Sequence, residues 1–267
     1  MFVRKAVVAG AFYPASWDET KNYLKSIIEP VKQKIKPKAI IVPHAGYVYS
    51  AWVAAKAYEL IESFDTYIVL GPNHTGLGEE ISVFEGEYEM PFGNLKTDSE
   101  ILNLIVENSP AKKDIYAHLQ EHSIEVQLPF IEYISNKPYK IAPIVIGTNN
   151  RQKLKELGTA IADAIKSTDK DVLIVVSSDM NHYEDQKTTL KKDTLALDKI
   201  ISLDEEGLLD VTEGYNISMC GAAPSYACIV SAKLLGSKKA SLVAHRTSGE
   251  VNMDFNRVVG YASLIVE

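Results

Sequence analysis

Hydrophobic positions along this chain fall into short runs separated by amphipathic stretches. Six segments rich in Val and Ile read as strands: 38–43 (KAIIVP), 66–71 (TYIVLG), 140–147 (KIAPIVIG), 171–177 (DVLIVVS), 240–245 (ASLVAH) and 258–266 (VVGYASLIV). Several are continuously apolar rather than alternating, the pattern of strands covered by helices on both faces. Helical segments separate most of them. Ser16 with Glu19 makes a capping-box pattern opening a helix over 17–29, stopped by Pro30, and Thr97 with Glu100 does the same for 98–108. Further helices are expected near 50–62, 121–134, 151–167, 187–201 and 222–235, the last closed by Gly236. Pro129 sits awkwardly in the 121–134 helix and is expected to bend it. Strands alternating with helices across the whole length predict one α/β domain, residues 1–267, with a mostly parallel or mixed central sheet flanked by helices.

Composition sharpens this picture mainly by exclusion. At 267 residues, 46% hydrophobic and 24% charged, the chain is an ordinary globular protein large enough for a sizeable core. A net charge of -7 argues against general affinity for nucleic acid or anionic membranes. No apolar run approaches the roughly 20 residues that span a bilayer. The N-terminal stretch MFVRKAVVAGAFYP is too short before Pro14 for a signal peptide, so a cytoplasmic location is expected. Two cysteines, Cys220 and Cys228, are too few for a disulfide framework.

The chemistry lies where strands end. IIVPHAGY ends its strand in His44, YIVLGPNHTG in His74, and IVVSSDMNHY in Asp179 and His182. In an open α/β sheet, ligand sites form beyond the carboxyl ends of the strands, so three parallel strands would deliver these groups to one rim. A single histidine after a strand is ordinarily a hydrogen-bonded surface residue, and Ser, Asp and Asn are common turn formers. Three of six histidines at the same topological position make a shared pocket the stronger reading. Cys220, just before the 222–235 helix, is placed where a helix N-terminus favours thiolate, the form that ligates metals or attacks carbonyls. A small buried hydrophobe is its bland alternative, which Cys228 fits better. In HLQEHSIEVQLPF, His118 and His122 would share one helix face and Glu121 and Glu125 another. The order is not HExxH, and the plain reading is a solvated, salt-bridged helix start. Phosphate-loop, dinucleotide, nucleophile-elbow and deaminase motifs are all missing.

Taken together, AGAFYP (9–14), IIVPHAGYVYS (40–50), LGPNHTG (70–76), EHSIEVQLPF (121–130), VVSSDMNHY (175–183), CGAAP (220–224) and VGYASL (259–264) resemble the Memo family. These stretches run in order along nearly the whole chain. The resemblance implies a fold like the class III, non-haem iron extradiol dioxygenases. It also implies a metal site of His44, His74 and Cys220, with Asp179 and His182 lining the pocket and His182 as acid/base. Those dioxygenases use two histidines and a carboxylate; Cys220 at the third position puts ring cleavage in doubt and makes a softer set, suited to iron or copper and compatible with zinc. It further implies a small-molecule or phosphotyrosine-type peptide ligand, and association with an AMMECR-type domain and a radical SAM protein. Three functions compete: a redox-active metalloprotein or oxidoreductase, a metal-free hydrolase using Cys220, His182 and Asp179, and a non-catalytic module binding an anionic group beside Phe12, Tyr47 and Tyr49.

Overall fold

A computed structural model describes residues 2–267. The chain opens with strand β1 (Phe2–Lys5) and helix α1 (Trp17–Ile27), followed by β2 (Ala39–Val42), α2 (Tyr47–Tyr58) and β3 (Thr66–Pro72). Short strands β4 (Ile81–Val83), β5 (Gly86–Met90) and β6 (Gly93–Lys96) lead to α3 (Ser99–Glu107), β7 (Lys112–Lys113) and α4 (Tyr116–Leu119). A 3-10 turn at Glu125–Gln127 enters α5 (Leu128–Ile134), then β8 (Lys140–Ile146), α6 (Arg151–Lys166) and β9 (Val172–Ser177). The remainder is β10 (His182–Glu184), α7 (Gln186–Ile201), α8 (Glu205–Gly214), α9 (Ala222–Leu234), β11 (Ala240–Thr247), α10 (Gly249–Asn252) and β12 (Val258–Val266).

The main sheet has the order β10-β12-β2-β9-β3-β8-β4-β7, with β11 on β12. Its centre is parallel: β2 pairs with β9, β9 with β3, and β3 with β8, while β12 and β4 run antiparallel to that block. The sheet is therefore mixed. Period-two alternation divides its apolar residues between two cores. Ile41, Ile68, Leu70, Ile174 and Val176 face α3, α6, α7, α8 and α9. Ile40, Val42, Val69, Leu173 and Val175 face α1, α2 and α5. Both faces are covered, which is why the central strands carry no polar alternation. A smaller sheet, β1-β5-β6, lies apart from the main one. No helix among the described residues is long and apolar enough to cross a membrane.

Local signals mostly act as expected. Ser16 Oγ accepts the Glu19 N–H at 3.3 Å, capping α1, and donates to the Glu19 carboxylate at 2.9 Å. Gly236, with φ 91°, follows α9 in the left-handed conformation. Two expectations fail. The cap of α3 is Asp98, not Thr97, whose hydroxyl instead accepts the Gly86 N–H at 2.9 Å. The 121–134 helix does not form as one piece: Glu121 and His122 lie ahead of the 3-10 turn, and Pro129 sits at the first turn of α5, where its missing N–H costs nothing.

Candidate metal centre

Adjacent strands β2, β9 and β3 end at one rim, and their following loops set His44, Asp179 with His182, and His74 around a single cavity of about 800 Å³. His44 is buried, and its protonation pattern follows from its partners. The one hydroxyl proton of Ser177 goes to the Ser123 carbonyl, 2.6 Å away, while Gln127 Nε2 donates to the same Oγ at 2.8 Å. Ser177 Oγ can then only accept from His44 Nδ1, 2.9 Å away. His44 Nε2 is left with a lone pair, 3.3 Å from Cys220 Sγ.

The same logic fixes His74. Its Nδ1 donates to Glu121 Oε1 at 2.9 Å, and its backbone N–H donates to Glu121 Oε2 at 2.6 Å, leaving Nε2 for coordination. Burial alone would raise the Glu121 carboxyl, but the hydrogen bonds it accepts from His74 Nδ1 and from the Ser123 and His74 backbone N–H groups favour the charged form and bring it down. The third imidazole is His122, stacked on His74 with ring centroids 4.6 Å apart and with Nδ1 3.6 Å from Glu121 Oε1. Donor nitrogens of His44, His74 and His122 all lie within 4.8 Å of one another. Burial pushes His44 well below the ordinary imidazole range, with the neighbouring His122 and His74 adding to the effect; burial also lowers His122. Neutral imidazoles with directed lone pairs are the protonation states a metal ion requires.

The cavity gathers all five residues predicted for the site, His44, His74, Asp179, His182 and Cys220, and adds His122. The three-donor cluster contains His122 where the resemblance places Cys220, whose sulfur lies outside the cluster, 3.3 Å from His44 Nε2. Asp179 Oδ1 accepts the N–H groups of His44 at 2.8 Å and Ala45 at 3.3 Å, so it ties the β9 loop to the β2 loop. Its own N–H donates to Cys220 Sγ at 3.2 Å. His182 is oriented by Ser218: its Nδ1 donates to that carbonyl at 2.8 Å, leaving Nε2 as the basic nitrogen. The segment 118–125 is not a solvated helix start. His118, Glu121 and Glu125 are buried, and Glu125 accepts from Arg4, the Val7 and Val8 N–H groups and the Tyr13 hydroxyl. The thiol expectation also needs correction. Cys220 does precede α9, but burial, reinforced by the Asp179 carboxylate, pushes its pKa well above the ordinary thiol value.

Behind the rim, Asp193 holds the loop that carries His182. It accepts the Asn181 N–H at 2.9 Å and meets His245 Nε2 at 2.8 Å. Gly260 is what lets it approach, since a Cβ there would fall 2.0 Å from Asp193 Oδ2.

Comparison with known proteins places these features in a lineage. The family described as "Memo-like protein" matches residues 4–265. Relatives named MEMO1 family protein include those of Aquifex aeolicus, 42% identical with 99% of each chain covered, and Desulfurococcus amylolyticus, 44% identical with 98% of each covered. Another, from Methanopyrus kandleri, is 35% identical over 98% of both chains. An uncharacterized protein of Escherichia coli K12 shares the fold at a TM-score of 0.56 and 10% identity, covering 85% of this chain and 98% of its own.

Proposed function

The chain belongs to the Memo family, and from that premise we propose that it is a metalloprotein with redox or oxygen-handling chemistry, akin to the non-haem iron dioxygenases. The observation that carries this reading is the directed pair of imidazoles: Ser177 and Glu121 occupy Nδ1 of His44 and His74 and leave both Nε2 atoms facing the cavity shared with His122 and Cys220. His44 and His74 would hold the ion, with the Cys220 sulfur and the His122 ring as flanking donors. Imidazoles beside a thiol suit iron or copper, and zinc as well. A transition metal held there supplies Lewis-acid or one-electron chemistry to a bound ligand.

The chain's own groups do the rest. His182 Nε2, its tautomer set by Ser218, takes a proton from a ligand or returns one. Asp179 fixes the His44 loop and the Cys220 sulfur relative to each other. Phe12, Tyr49 and Tyr261 form apolar walls that limit water at the reacting atoms. A metal-free nucleophile at Cys220 is less well supported, because burial raises the thiol pKa and because that reading gives the histidine pair no role.

Metal analysis after anaerobic purification tests the proposal. The wild-type protein should retain about one equivalent of iron or copper, and the His44→Ala/His74→Ala double variant should retain almost none. Equal, negligible metal in both would end this reading in favour of a binding module.

A further inference from the structure

Asn181, the residue before His182, is fully buried and uses every polar group it has. Its N–H donates to Asp193 Oδ1 at 2.9 Å, and its carbonyl accepts the Gly260 N–H at 2.9 Å. Its Nδ2 donates to Glu184 Oε2 at 2.7 Å, while Oδ1 accepts the Ser218 N–H at 3.1 Å and the Ser218 hydroxyl at 3.2 Å. Ser218 in turn accepts twice from His182. Its Oγ takes the His182 backbone N–H at 2.8 Å, and its carbonyl takes the ring Nδ1–H at 2.8 Å. The tautomer of His182 therefore depends on Ser218, and Ser218 is placed by Asn181.

The outer end of this chain of bonds is not self-supporting. Ser218 is exposed and His182 half-buried, so water competes for the bonds between them. The rigid end is Asp193, which is fully buried. Among the described residues no Lys or Arg nitrogen lies within 4 Å of its carboxylate, and its one partner able to carry positive charge is His245, with Nε2 2.8 Å from Oδ2. An ionised carboxylate only accepts, so His245 Nε2 is the donor. A buried carboxylate oxygen stripped of its donor is costly, and the group would turn to find another. Oδ1 belongs to the same planar group and would turn with it, away from the Asn181 N–H. His245 itself stands half-buried on β11, whose strand partner is β12, and it does not line the cavity.

We propose that His245 is a positioning residue for His182, acting through Asp193, Asn181 and Ser218 to keep the His182 proton on Nδ1 and its basic Nε2 free. The inference rests on His182 being the acid/base group of the proposed function. It extends that function to a side chain that touches neither ligand nor metal, and it ties the β9 loop to β11.

The test reads ring nitrogens by NMR in full-length, 15N-labelled protein freed of metal by chelation, at about pH 8, where an ordinary imidazole is neutral. The His182 signals are those lost in His182→Gln. In the wild type His182 should carry its proton on Nδ1. In His245→Leu the Nδ1-protonated share should fall about twofold or more, as the ring gains the freedom to place its proton on Nε2. His44 and His74, whose Nδ1 protons are held by Ser177 and Glu121, should keep their tautomers in the same variant. His245→Gln, whose amide N–H can reach the same carboxylate, should restore most of the wild-type share. If His245→Leu does not fold, Asp193→Asn preserves the volume, removes the charge and should show the same shift at His182. An unchanged His182 in the folded variant overturns the proposal, as do equal shifts at His44 and His74, which would mean a general loosening. Because the rings are read without metal, a wild type that binds none removes the metal reading and leaves this one standing. A metal-binding wild type whose His182 ignores His245 removes this one alone.

Discussion

Glu121 Oε1 stands 2.9 Å from His74 Nδ1 while its Oε2 accepts the His74 backbone N–H at 2.6 Å. One buried carboxylate thus sets the position, ring orientation and tautomer of a candidate ligand. Glu121→Gln keeps the shape but replaces one acceptor oxygen with a donor, so it cannot serve both N–H groups. Outer carboxylates of this kind typically matter by about 10–100-fold in metal affinity. Competition with a chromophoric chelator should show a loss of that size in Glu121→Gln. Affinity equal to wild type would leave Glu121 with a purely structural part.

The donors flanking the His44–His74 pair can be distinguished spectroscopically. Cys220 Sγ lies 3.3 Å from His44 Nε2, close enough for both to share one ion after a small adjustment. Copper-loaded protein should then show a sulfur-to-copper charge-transfer absorption that vanishes in Cys220→Ser and persists in His122→Ala. If the wild-type spectrum lacks that band, the thiolate is outside the donor set and the three imidazoles remain.

What the sequence disclosed and what it hid follow from the same geometry. His44, His74 and Asp179 were legible because they terminate continuous apolar strands, and the carboxyl edge of a parallel sheet is a fixed place in the fold. His122 and Glu121 were not legible. Their segment is a turn with no periodicity, and the four-residue spacing from His118 suggests one helix face that never forms. In the fold His118 turns to Tyr88 and Ser82 while His122 turns to the cavity. The β1-β5-β6 sheet was also invisible, since its strands are short and carry no sustained apolar run.

Arg4 links the small sheet to the site. Fully buried, it donates from Nε to the His118 carbonyl at 3.0 Å and from Nη2 to the Glu121 carbonyl at 2.6 Å, and it pairs through Nη1 with Glu125. Arg4→Met would strand the Glu125 carboxylate in the core without its counter-charge. Removal of one member of a buried pair costs about 3–5 kcal/mol, and urea unfolding should register a loss of that order. Arg4→Met/Glu125→Gln should recover part of it, because the uncompensated charge is gone. A single-variant loss under about 1 kcal/mol would mean the pair contributes no more than an exposed one.

His118 should give the fold a pH dependence of its own. Its ring is buried, donates from Nε2 to the Ser82 carbonyl at 3.1 Å and lies 3.3 Å from the Tyr88 hydroxyl at Nδ1. Burial pushes its pKa from 6.5 down to about 4, outweighing the carbonyl bond that favours the charged ring. Between those values the unfolded chain takes up a proton that the folded chain refuses, so stability rises with pH there. The neutral ring's contribution is complete above about 6.5, falls away as pH drops, and is gone below about 4. A shift of that size corresponds to about 3 kcal/mol. Unfolding free energies measured from pH 7 to 4 should therefore fall more steeply for wild type than for His118→Gln, whose amide does not titrate. Parallel curves for the two proteins would show that His118 is protonated as readily in the core as in water.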